Sequence, residues 1–148
     1  MRNSPGWPLL LTSFINKSGT IGLYLLPMLL IEKNLSITES ALILGAVKAS
    51  LFLGHIAGGV SSDRLGLKFT VNSSFLISGL GLALLPFSDS AWLILLFGVL
   101  AQAGTAMFTS ASRILLSELV ARTSFQSALA WLRGTNNLAQ MVSSFIAY

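Results

Sequence analysis

Three basic side chains stand inside long apolar stretches, where a charge is chemically unusual. Lys17, Lys48 and Arg133 each lie roughly ten residues into such a stretch, so a helix rising ~1.5 Å per residue would place them about 15 Å deep in a bilayer. A central lysine or arginine costs ~2.5–3.5 kcal/mol on insertion scales, and such residues usually face a protein interior or an aqueous cavity. Cations at one depth could bind an anion.

Each of these cations belongs to a polar stripe with the i, i+3/i+4, i+7 spacing of one helix face. The stripes are Ser13, Lys17, Thr20 and Tyr24; Gly45, Lys48, Phe52 and His55; and Arg133, Asn136, Asn137 and Gln140. A fourth, uncharged stripe contains Gly98, Gln102, Thr105 and Thr109. The predicted substrate- or ion-binding residues are Asn16, Lys17, Lys48, Gln102, Arg133, Asn136 and Asn137.

The five acidic residues all lie at the ends of the apolar stretches or between them, so the three cations have no carboxylate at their depth. Two functional explanations stay open: the cations bind an anionic or carboxylate-bearing substrate, or they pair with acids in a second half outside this sequence. A third explanation is structural, since a long basic side chain can extend to the membrane surface or form hydrogen bonds. His55 is predicted to be a packed or hydrogen-bonded histidine rather than a proton carrier.

The elements that carry these stripes follow from the composition. Hydrophobic residues make up 53% of the 148 residues and charged residues 9%, against ~25% charged in soluble domains. Because lipid offers no partner for backbone N–H and C=O groups, apolar stretches of this length should be helices. The sequence predicts an all-α membrane protein, one membrane domain over 1–148 with five transmembrane helices at about 7–31, 37–61, 69–85, 91–116 and 124–148.

Local signals mark several helix ends. Pro27 predicts a kink in the outer half of the first helix. Ser36 and Glu39 form the pattern of a capping box before the second helix. Asp89 or Ser90 is placed to cap the fourth helix.

The basic residues predict the orientation. One side of the membrane receives most of them, namely Arg2, Arg64, Lys68, Arg113 and Arg122, and only Lys33 falls in a loop on the other side. The positive-inside rule therefore places the N-terminus in the cytoplasm. Trp7, Trp92 and Tyr148 lie near the predicted interfaces, as residues of an aromatic belt do.

Several classes of function are excluded by what the sequence lacks. Without cysteine and with a single histidine, no thiolate or zinc-type metal site is expected. No phosphate-binding loop, paired carboxylates or Ser/His/Asp arrangement occurs in the helices, so we predict neither an ATP-driven subunit nor an enzyme, and no cofactor. The net charge of +4 is explained by membrane topology rather than by nucleic-acid binding.

The segment from Gly59 to Lys68 carries a motif. Its residues Gly59, Asp63, Arg64, Gly66 and Lys68 match the pattern Gly-x-x-x-Asp-Arg/Lys-x-Gly-Arg-Arg/Lys, and Leu67 departs from it. The segment resembles the loop between the second and third helices of the major facilitator superfamily. In physical terms, Gly59 would let the second helix approach a neighbour closely, and Gly66 would permit a turn with φ > 0.

The resemblance implies a gating role for this loop. In the family it latches two transporter halves on the cytoplasmic side, and we expect Arg113 to pair with Asp63. The segment Asn16-Lys-Ser-Gly-Thr20 looks like the first helix of drug-exporter-like members. The family's Arg-x-x-Gln-Gly motif in the fourth helix is missing, because Leu100 and Ala103 replace its Arg and Gln.

The resemblance also implies a function. It points to a secondary transporter in the cell membrane, by extension a bacterial inner membrane, that exports a small molecule by proton antiport; an anionic cargo is what the central cations would suit. The implied partners are membrane lipid, the substrate, protons, and a second transporter half or another copy. The alternative is a truncated or split transporter without transport of its own, which acts by assembling with other membrane segments.

Overall fold

The computed structural model describes residues 7–147, without the side chains of residues 122, 146 and 147. Arg2 and Tyr148, and the Arg122 side chain, therefore lie outside the described residues. The predicted all-α fold with five helices is confirmed. The first helix consists of Trp7–Ser18, Ile21–Tyr24 and Leu26–Glu32; the second is Ile37–Leu65, the third Leu67–Leu84, the fourth Ala91–Leu119 and the fifth Phe125–Ala147. Short 3₁₀ turns, Leu85–Phe87 and Arg122–Ser124, follow the third helix and precede the fifth.

Four segments are long and apolar enough to cross a membrane. They are Trp7–Glu32, Ile37–Leu65, Leu67–Phe87 and Ala91–Leu119. Phe125–Ala147 is not among them, although it has the length of a span. Its polar stripe lowers its hydropathy, so this helix depends on protein or water contacts on one face.

The first helix is broken twice. Pro27 stands in the first turn of the segment Leu26–Glu32. Because proline has no N–H, a carbonyl in the preceding turn loses its regular backbone donor. A second break, which the sequence analysis did not predict, separates Ser18 from Ile21. There the Lys17 carbonyl accepts from both the Thr20 hydroxyl, at 2.6 Å, and the Thr20 N–H, at 3.1 Å, so a tight turn interrupts the α-helix.

The connection between the second and third helices is tighter than predicted. A charged loop from Ser62 to Lys68 was expected, but the second helix continues to Leu65 and the third begins at Leu67. Gly66 alone joins them, with φ of 86°. A glycine at positive φ reverses the chain within one residue, so no longer loop is needed, and the prediction of positive φ at Gly66 is confirmed.

Glycines let the second and third helices pack closely on the fourth. A Cβ on Gly54 would lie 2.7 Å from Ala106 Cβ, and one on Gly58 would lie 2.6 Å from the Met107 carbonyl oxygen. A Cβ on Gly81 would lie 2.6 Å from the Ala101 nitrogen. The close approach predicted for Gly59 is wrong, since that position faces open space. The contact belongs to Gly58, about 100° away around the helix.

The remaining helix-end predictions agree with the structure. The capping box is present, with Ser36 Oγ accepting from the Glu39 N–H and Glu39 Oε2 accepting from the Ser36 N–H at 2.9 Å. Ser90 caps the fourth helix by accepting from the Leu93 N–H. Asp89 instead accepts a hydrogen bond of 2.6 Å from Lys33, which lowers the pKa of Asp89 below its ordinary value of 3.8.

Candidate functional site

Three basic side chains from three helices form a set whose members influence one another electrostatically. Lys17 of the first helix lies within electrostatic range of Arg113 of the fourth, and His55 of the second helix lies within electrostatic range of both. Lys17 is half-buried, and the other two are exposed. We call Lys17, His55 and Arg113 the cation set. The second and fourth helices position two of its members through their packing at Gly54 and Gly58.

Ser110 fixes the orientation of His55. Its Oγ lies 3.0 Å from His55 Nδ1 and donates to the His55 backbone carbonyl over 3.3 Å. The hydroxyl can accept from a protonated Nδ1 or donate to an unprotonated one, so this bond fits either tautomer of the ring. The histidine is hydrogen-bonded, as predicted, and the bond links the second helix to the fourth.

The cation set has no carboxylate partner. Among the described residues the ion pair within 4.0 Å is Lys33–Asp89, in the connections at the opposite end of the bundle. The expected pairing of Asp63 with Arg113 is not made. Ser62 faces the interior of the bundle, and Asp63 follows about 100° further round the helix, where it is exposed to solvent.

The other predicted site residues divide into an exposed and a buried group. Lys48, Arg133 and Asn137 are exposed on the second and fifth helices, and the cation set does not include them. Gln102, on the fourth helix, is buried. Asn16 of the first helix is also buried, and Asn136 of the fifth helix is half-buried.

The motif residues at the end of the second helix are accessible. Asp63, Arg64, Gly66 and Lys68 are exposed and Gly59 is half-buried. Among the described residues, none of these three charged side chains is in an ion pair. The segment therefore offers one negative and two positive charges for contact with another surface.

The arrangement can attract and hold a small anion. The like charges of Lys17 and Arg113 repel each other where the dielectric is low, and a carboxylate between them would relieve that repulsion. No group of three His, Cys, Asp or Glu residues suited to a metal ion occurs in the part of the chain that the structure describes. The chemistry that these cationic side chains offer is the binding of an anion.

Sequence reasoning missed that Arg113 belongs with Lys17, and it missed Ser110 altogether. The available signal was the spacing of the uncharged stripe, because Arg113 follows Thr109 by four residues and continues the same face. Ser110 gave no comparable signal. Its role depends on the register between the second and fourth helices, which the packing of Gly58 sets.

Comparisons with known proteins give the family. The model of the Major Facilitator Superfamily matches residues 7–148. The benzoate transport protein of Acinetobacter baylyi is 32% identical over 81 residues, which are 55% of this chain and 17% of that protein. No solved structure matches the chain.

Proposed function

Because the chain belongs to the major facilitator superfamily, a family of membrane transporters rather than enzymes, we propose that it is part of a gradient-driven carrier for a small anionic molecule. The observation that carries this proposal is the cation set: His55 is bonded to Ser110 at 3.0 Å, Arg113 follows Ser110 by three residues, and neither Arg113 nor Lys17 has an ion-pair partner among the described residues. A carrier of the family's type moves its cargo by alternating access around a site near the membrane midplane.

The proposed substrate class is a small carboxylate. The relative that is 32% identical over 81 residues is described as a benzoate transport protein, and benzoate is a monocarboxylate. A carboxylate accepts hydrogen bonds from guanidinium and ammonium groups, which bind it more strongly than neutral donors do. Lys17 and Arg113 would hold the carboxylate, and Gln102 and Asn137 would contact the rest of the molecule.

We further propose a cytoplasmic N-terminus and export by proton antiport. The positive-inside rule supports the orientation, since Arg64, Lys68 and Arg113 lie toward one end of the bundle and Lys33 toward the other. In this orientation Asp63 and Arg64 face the cytoplasm and form the gate. The cation set then extends from Lys17, near the membrane midplane, toward Arg113 on the cytoplasmic side, where a substrate on its way out would first be bound.

A second candidate function is assembly with other membrane segments. The matched region covers 17% of the length of the benzoate transport protein. Lys48 and Arg133 are exposed within the helices, and lipid is a poor environment for both charges. In this alternative, acids on another segment or another copy pair with these two residues, and transport belongs to the assembly.

Transport by purified protein tests the proposal. The chain is reconstituted into liposomes, and the uptake of radiolabelled benzoate is measured with an imposed pH gradient of either sign. We expect accumulation that collapses when a protonophore removes the gradient. Everted and right-side-out orientations, distinguished by protease access to Lys68, give the direction. Uptake no faster than in empty liposomes would favour the assembly function, and an equal rate without a gradient would contradict a gradient-driven carrier.

A further inference from the structure

Four buried polar atoms lack a hydrogen-bond partner among the described residues. They are Ser13 Oγ, Asn16 Oδ1 and Ser18 Oγ on the first helix and Asn136 Oδ1 on the fifth. Ser13 and Asn16 are almost completely buried, at 1% and 5% exposure. Native proteins rarely leave such groups unpaired, because the lost hydrogen bonds to water are not replaced. Four on one pair of helices indicate a shared cause.

Ser13 and Asn136 lie on the faces by which the first and fifth helices meet. Leu9 and Leu132 belong to the same apolar cluster, which joins the first and fifth helices at one end. Ser13 and Asn136 follow these leucines by four residues each, so both lie one turn further on the same faces. Beyond them the Ser143 hydroxyl, which also bonds to Ala139, reaches the Ser18 carbonyl at 3.2 Å. We call Ser13, Asn16, Ser18 and Asn136 the polar seam.

The charges around the seam restrict what it can bind. The seam consists of hydroxyl and amide groups and contains no carboxylate. The nearest ionisable neighbour in sequence is Lys17, which interacts with the positive Arg113. A metal cation would be repelled there, and neutral amide and hydroxyl oxygens are weak compensation. A small neutral molecule that both donates and accepts hydrogen bonds fits these groups.

We propose that the polar seam binds ordered water molecules between the first and fifth helices. Water satisfies amide and hydroxyl oxygens together, and a buried water typically makes about three hydrogen bonds. The apolar cluster of Leu9, Leu116, Ala128 and Leu132 closes the seam at one end. In this proposal Asn16 and Asn136 bind internal water and do not contact the substrate. The proposal does not depend on the proposed function.

Radiolytic footprinting detects such water directly. An X-ray pulse produces hydroxyl radicals from bound water, and mass spectrometry then locates the oxidised side chains in the purified full chain, with ¹⁸O-labelled water as the probe. Leu132 is expected to be oxidised several-fold more than Leu30, although both are buried, at 2% and 0% exposure. Leu30 is the matched control because it lies in the other, wholly apolar cluster. Equal oxidation of the two leucines would overturn the proposal.

Thermal unfolding of Ser13→Ala gives an independent test. If water is bound, the variant loses one of its partners, and Tm falls by about 2–6 °C. If the seam is dry, the substitution removes an unsatisfied hydroxyl, and Tm rises. Ser127→Ala is the control, since Ser127 is exposed on the fifth helix and its loss should leave Tm unchanged. A Ser13→Ala variant with raised or unaltered Tm would contradict the water site.

Discussion

Replacing Lys17 or Arg113 by alanine is expected to weaken the binding of a small carboxylate by roughly 10- to 100-fold. A hydrogen bond to a charged group is worth about 1.5–3 kcal/mol, and each 1.4 kcal/mol corresponds to a factor of ten in affinity. Each variant removes one of the two cations that interact with each other in the cation set. The measurement is the dissociation constant of radiolabelled benzoate for purified protein in detergent.

Lys33→Ala is the matched control for these variants. Lys33 is also a lysine, but it lies in a connection at the other end of the bundle, where its charge is paired with Asp89 at 2.6 Å. The Lys33→Ala variant should bind benzoate with the same affinity as the parent protein. Lys17→Arg keeps the positive charge and should retain most of the affinity. If the double variant Lys17→Ala/Arg113→Ala bound benzoate as tightly as the parent protein, the cation set would not be the binding site.

The second large effect concerns folding. Gly58→Ala is expected to destabilise the protein by about 1–3 kcal/mol, the usual cost of an added methyl in a packed interior. The new Cβ would lie 2.6 Å from the Met107 carbonyl oxygen and 2.9 Å from Met107 Cα. Both are backbone atoms, so the fourth helix would have to move. The measurement is Tm, by light scattering or by a fluorescence assay that needs no thiol-reactive dye, since the chain has no cysteine.

Gly59→Ala provides a control at the neighbouring residue. Nothing lies within 4 Å of a Cβ at this position, and alanine is a better helix former than glycine by about 1 kcal/mol. Its Tm should therefore stay the same or rise. If both variants lost stability equally, the packing of the second helix on the fourth through Gly58 would be wrong.

Short-range features of this fold could be predicted from the sequence. The capping box at Ser36 and the positive φ of Gly66 depend on residues within a few positions of each other, and both were found as expected. The all-α fold follows equally directly, because apolar stretches in lipid have no alternative to helix. These predictions need no knowledge of how one helix faces another.

Features that depend on helix rotation could not be predicted in the same way. Gly58 and Gly59 are adjacent in sequence but about 100° apart around the helix, and only one of them meets Met107. Asn16 and Asn136 were expected to contact substrate because they are polar and centrally placed, yet the side-chain oxygen of each is buried and lacks a hydrogen-bond partner among the described residues. Hydrophobic periodicity is weak in a membrane protein, where both lipid and neighbouring helices are apolar, so it does not fix rotation.

The polar seam and the glycine contacts give the bundle two kinds of interface. The second and third helices meet the fourth through glycines whose Cβ would collide with backbone, at Gly54, Gly58 and Gly81. The first and fifth helices share an apolar cluster at one end, and both carry buried polar groups that lack direct partners among the described residues. A helix packed closely on a neighbouring backbone can rotate only by moving to another discrete packing arrangement. A helix whose contact is mediated by water can rotate more easily, because water molecules exchange and rearrange.

The central claim is that the cation set of this chain recognises a carboxylate, and equilibrium binding to the purified protein tests it most directly. Benzoate and benzamide have nearly the same shape, but only benzoate carries a negative charge. The account predicts saturable benzoate binding, at least roughly tenfold tighter than benzamide binding, that weakens in Lys17→Ala and Arg113→Ala and not in Lys33→Ala. Equal affinity for benzoate and benzamide, or benzoate binding that survives the loss of both Lys17 and Arg113, would contradict it.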